Sequence, residues 1–148
     1  MVALGLAAVC LLPAKEKSGL EGVWNVNVTV TDCQGNVVRT VTSVQLFHPD
    51  ASITEASNLS SRGISQGVWK RVGYRTFNAS YWFFRYPPPI GPYTSFATLT
   101  ETITLDWDNE HFSSSGTVED LLSDGTTVKG CFTHTATRLA DLSTDDFR

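Results

Sequence analysis

Apolar and polar positions alternate along most of this chain with a period of two, the spacing of a strand with one face turned inward. Residues 23–31 alternate valines with asparagine and threonine, and 37–47 is a second β-rich run. Shorter runs follow at 52–56 and 67–72, then longer ones at 75–86, 93–107, 111–122 and 126–139. No stretch carries an apolar stripe at helical spacing over four turns; a single helical turn is expected at 139–142. Turn residues punctuate the runs: Gln34-Gly35-Asn36, Gly73-Tyr74, Asp108-Asn109 and Ser123-Asp124-Gly125. Short connections of this kind join antiparallel neighbours. Eight strands in a meander can close on themselves and remove their edges. The expected fold is therefore an all-β, eight-stranded up-and-down barrel over residues 20–140, with a two-sheet sandwich as the alternative.

Two features at the ends of this segment fit together. Gly22-Val23-Trp24 opens the first strand and Arg138 lies on the last. In a closed meander these strands are neighbours, so the guanidinium can lie across the indole. The pattern resembles the Gly-x-Trp and terminal-strand Arg signature of lipocalins and the wider calycin group. The resemblance covers the two ends of the domain. It implies a lipocalin-like barrel, with Trp24 and Arg138 as structural residues plugging one end. The same topology brings Cys33, at the end of the first strand, near Cys131, seven residues before Arg138. These two form a disulfide in an oxidising compartment, or remain buried free thiols.

Composition changes the picture little. The 148 residues are 41% hydrophobic and 11% aromatic, enough for a folded core. Only 18% are charged, so hydroxyl side chains are expected on the outer faces. The net charge of −4 comes without a basic run, which leaves nucleic-acid binding without support. Residues 1–13 are apolar but too short to span a bilayer. They resemble the end of an export signal, with the domain beginning near Leu20 and a secreted or periplasmic location expected. Cys10 follows Ala7-Ala8-Val9, a possible lipoprotein box. The tail, 141–148, is polar and expected to be loose.

Candidate chemistry centres on the aromatic run. Phe77, Ala79, Tyr81 and Phe83 share one face; Trp82, Phe84 and Tyr86 share the other. The first face lines the barrel, and Trp82 and Phe84 are candidates for a dimer or larger homo-oligomeric interface. The proline-rich connection from Tyr86 to Tyr93 is a candidate lid, or a rigid hairpin link. Glu101 is in phase with Leu99 and Ile103; if that face is inward, Glu101 points into the barrel, free to act as acid or base or paired with Arg75, Arg85 or Lys70, and with the phase reversed it faces out. Glu55 and Glu119 are the other carboxyls of interest. His48, His111 and His134 lack metal-ligand spacing, and no metal or cofactor is expected. Asn27, Asn58 and Asn78 open short glycosylation-type triplets.

Three functions follow. The first is a secreted module holding a small hydrophobic ligand among Phe77, Tyr81, Phe83, Leu99, Glu101 and Ile103, in a cavity of a few hundred Å3. The second is a structural or assembly protein with a solid barrel and an aromatic interface. The third is a barrel enzyme of isomerase, cyclase or hydratase type using Glu101 and Tyr81.

Overall fold

In the computed structural model, which describes residues 19–87 and 94–140, eight antiparallel strands close into a barrel in simple sequence order. The strands are β1 (Gly22–Thr31), β2 (Val37–Phe47), β3 (Ser52–Ser57), β4 (Ser65–Arg71), β5 (Thr76–Arg85), β6 (Ser95–Leu105), β7 (His111–Leu122) and β8 (Thr127–Ala140). Their placement follows the alternation in the sequence, with ends moved by a residue or two. The expected helical turn at 139–142 is corrected for its first two residues: Leu139 and Ala140 extend β8. Residues 141 and 142, the export signal with Cys10, the tail, and positions 88–93 of the proline-rich connection lie outside the described residues.

Closure is made by β1 and β8, in a register that pairs Trp24 with Arg138 and Thr31 with Cys131. Arg138 lies 4.1 Å above the Trp24 ring. Its guanidinium donates to the carbonyls of Asn109 and Glu21, at 2.7 and 2.8 Å, and to that of Gly19. Trp24 Nε1 donates to Leu20 O at 2.9 Å. Each polar edge of the pair is thus satisfied while the rings fill the barrel end. Cys33 and Cys131 form a disulfide at the opposite end. Such bonds persist in oxidising compartments.

The core has three layers. At the Trp24 end, Phe112, Phe47, Trp69 and Phe77 continue from the indole in successive edge-to-face contacts, with centroids 4.9–6.0 Å apart. This geometry sets positive ring edges on negative faces, and it seals the end. In the middle lies a belt of buried polar side chains: Ser43, Gln45, Glu55, Ser65, Tyr81, Glu101, Ser114 and His134. At the disulfide end the inner surface is apolar again, with Val28, Val41, Phe83, Leu99, Val118 and Phe132. The outer surface carries hydroxyls. Thr100, Thr102, Ser113, Ser115, Thr117, Thr133 and Thr135 are all exposed, as the low charge content implies.

Candidate functional site at the disulfide end of the barrel

Strand parity puts alternate residues of each strand inside, so a buried polar side chain on this face must find its partner across the lumen. Glu101 does so with β7 and β8. Ser114 Oγ donates to its Oε2, and His134 Nδ1 stands 2.9 Å from the same oxygen, at ion-pair distance but off the line of a straight hydrogen bond. Arg75, Arg85 and Lys70, the expected candidates, are corrected as partners of Glu101. Arg75 turns to Leu105 O and Asn109, and Arg85 to Asp120. Lys70 is exposed on β4. Glycine opposite Glu101 makes room for this grouping. A Cβ at Gly116 would run into the Thr100 carbonyl, Phe132 and Glu101 itself.

The second carboxyl of the belt is Glu55. It accepts from Ser65 Oγ at 2.7 Å and from Arg62, which arrives from the β3–β4 connection. Tyr81 lies between the two carboxyls. Burial raises its pKa well above that of an ordinary phenol, and Glu101 and Glu55 add to the rise. Its hydroxyl is therefore held protonated. Glu119, by contrast, faces out and pairs with Lys129 at 2.8 Å.

Glu101→Gln keeps the shape of the belt and removes the charge facing His134. It is expected to lower unfolding stability by about 2 kcal/mol, the scale of a hydrogen bond to a charged group. Urea denaturation checks this, and an unchanged midpoint would show that the Glu101 carboxylate, with its bond from Ser114, is not a source of stability.

Above the belt, the disulfide end opens into a recess of about 30 Å3. Val28, Val30, Val41, Leu59, Phe83, Leu99, Val118 and Phe132 form its apolar walls, and Arg39, Arg62 and Arg85 stand among them. Arg62 lies over the Phe83 ring, its guanidinium carbon 3.7 Å from the centroid, with its side chain 6% exposed. Arg85 is held to Asp120 by two bonds, Nε to Oδ1 at 2.6 Å and a terminal nitrogen to Oδ2 at 3.1 Å. Arg39 is in phase with Val41, Ser43 and Gln45, hence on the inner face of β2 at the rim.

Of the six residues expected to contact a ligand, Phe83 and Leu99 line this recess. Phe77, Tyr81, Glu101 and Ile103 lie deeper, in the filled part of the barrel. The expected cavity of a few hundred Å3 is corrected to this small space, because the aromatic plug and the polar belt occupy the rest of the lumen. Sequence reasoning missed Arg39 and Arg62 as site residues. The parity of Arg39 with Val41 was a readable signal; Arg62, in a connection, gave none. Phe132 and His134, in phase with Ala136, could have been placed inside by the same alternation.

One group among the described residues has metal-ligand geometry: Asp106, Asp108 and His111, all exposed at the β6–β7 turn. Asp108 already accepts from the backbone of Glu110 and His111 and from the His111 ring. Hydrogen bonding to Asp108 raises the His111 pKa, and the same bond lowers that of Asp108. The cluster serves the turn.

Comparison with known proteins finds no matching family model, curated protein or solved structure. The barrel architecture, with Trp24 beneath Arg138, therefore stands on the geometry above. Among the described residues no helix is long and apolar enough to cross a membrane.

Proposed function

We propose that this protein is an exported binding module that takes the apolar end of a small hydrophobic molecule into the recess at the disulfide end of its barrel. The observation that carries this reading is the apolar recess ringed by arginines at one end, opposite an end sealed by aromatic rings. The recess is roughly a tenth of the ~300 Å3 at which typical ligand pockets begin. It accepts the tip of a chain or ring, and the remainder of the ligand lies among the rim side chains. Export is supported by the Cys33–Cys131 bond and by the apolar start of the sequence.

The test uses a neutral apolar fluorophore, N-phenyl-1-naphthylamine, titrated into the full chain, with native mass spectrometry to count bound molecules. Saturable binding of one molecule per chain is expected. Val30→Trp fills the recess and is expected to abolish it while far-ultraviolet circular dichroism stays unchanged. Binding that survives Val30→Trp, or the absence of saturable binding, overturns the reading.

A second reading is favoured by one observation. Trp82 and Phe84 remain 36% and 44% exposed on the outer face of β5, and Phe84 packs on Phe96 at 5.2 Å. Ile64 and Leu121 are exposed too, and the register carries an apolar row across β5, β6 and β7 through Phe84, Phe96 and Leu121. Such a row suits association between copies. Sedimentation of the protein and of Trp82→Ser with Phe84→Ser separates the two: a monomer at both sequences removes the assembly role.

A further inference from the structure

The chemistry of the rim constrains the other end of the ligand. Three guanidiniums converge there from separate parts of the chain: Arg39 from β2, Arg62 from the β3–β4 connection and Arg85 from β5. Two carboxyls answer them, Glu55 to Arg62 and Asp120 to Arg85. No salt bridge joins Arg39 to a carboxyl among the described residues. The other acidic residues of this end's hairpin turns are committed locally. Asp32 accepts from Gln34 and Asn36, and Asp124 from Thr126. Among the groups that line the recess and their ion-pair partners, three guanidiniums therefore face two carboxylates, while Asp32 and Asp124 keep their charge in the hairpin turns.

Two further observations point the same way. Arg62 Nε is buried without a hydrogen-bond partner, although Arg62 lines the recess. A buried donor left unpaired is costly, and an acceptor at this site would relieve it. Arg39 is also held in an unfavourable field. Partial burial lowers its pKa, and repulsion from Arg85 and Arg62 adds to the effect against the opposing pull of Asp120. An anion beside Arg39 would offset this repulsion.

We infer that the rim binds an anionic amphiphile: an apolar tail tip enters among Phe83, Leu99, Val118 and Phe132, and a carboxylate or phosphate head is held by Arg39 and Arg62. This rests on the binding reading above and narrows it to a ligand class. Planar guanidiniums suit either head, since both accept paired N–H donors. The small recess fits the same picture, because it leaves the head at the mouth rather than drawing it into the lumen. The three arginines of the recess disfavour a cationic head at the same place.

The test compares probes of equal tail length on the full chain by isothermal titration: decanoate, decyl phosphate, decanol and decylamine. At least one anion is expected to bind about tenfold tighter than decanol, the lower end of what a charge-assisted bond at a half-exposed site gives. Which anion binds tighter distinguishes a carboxylate head from a phosphate head. Arg39→Met is expected to erase most of that preference and to leave decanol binding unchanged, and Arg39→Lys to restore part of it. Raising the salt concentration is expected to narrow the gap as well. Decanol binding as tightly as both anions, or an anion preference untouched in Arg39→Met, overturns the inference while the apolar site stands. If none of the four binds, the binding reading itself falls and the inference with it.

Discussion

Replacing Trp24 with alanine is expected to cost about 4 kcal/mol of unfolding stability, within the range for deleting a large aromatic side chain from a packed core. Three losses coincide at this position. The indole is fully buried, so its removal leaves a cavity at the sealed end. Its edge contact with Phe112 goes, and with it the first link in the series of rings running to Phe77. Arg138 then lies over empty space, although it keeps its bonds to the carbonyls of Asn109 and Glu21. A domain of this size has only some 5–15 kcal/mol in total, so the variant is expected to be close to unfolding at physiological temperature. Trp24→Phe should lose less, because a ring remains and the bond to Leu20 O is the main deficit. Urea denaturation followed by circular dichroism measures both. A loss below about 1 kcal/mol for the alanine variant would show that the plug does not hold the barrel together.

The second large effect is expected from the disulfide. Cys33 and Cys131 are 98 residues apart in sequence, so their bond closes most of the domain into a loop. In the chain-entropy account, a cross-link of this span restricts the unfolded chain enough to contribute about 4 kcal/mol. The double change Cys33→Ala with Cys131→Ala is expected to lower stability by that order, as is reduction of the native protein. β1 pairs with β8 without help from the sulfurs, from Val23 with Ala140 to Thr31 with Cys131, with one irregularity between Val23 and Trp24. The double variant should therefore fold to the same barrel with a lower denaturation midpoint. Equal midpoints for oxidised and reduced protein would rule out the cross-link as a source of stability.

How much of this was legible in the sequence differs between fold and site, for a physical reason. Period-two alternation is a local property, and it located all the strands. The longest-range contact was legible too, because two separate pairs, Trp24 with Arg138 and Cys33 with Cys131, both bring the first and last strands side by side. The inward phase of Glu101 and Tyr81 followed from their neighbours Leu99, Ile103 and Phe83. Partners across the lumen were not legible. Parity says that Glu101 points in, but strand tilt and stagger decide which inward residue it meets. It meets His134 and Ser114 rather than an arginine. Lumen volume was equally hidden, since it depends on how Trp24, Phe47, Trp69, Phe77 and Phe112 pack against one another. Arg62 reaches Glu55 and Phe83 from a connection, where no periodicity applies.

The seam between β1 and β8 has a consequence for how the molecule is made. Until the final strand has been synthesised, β1 has only β2 beside it, and its other backbone edge is open. Exposed edges of this kind recruit further strands, including those of other copies. Arg138 is among the last residues of that strand, so the cap over the indole is also the last piece to arrive. A chain that lacks its last strand is therefore an unfinished sheet with the outer edge of β1 unpaired.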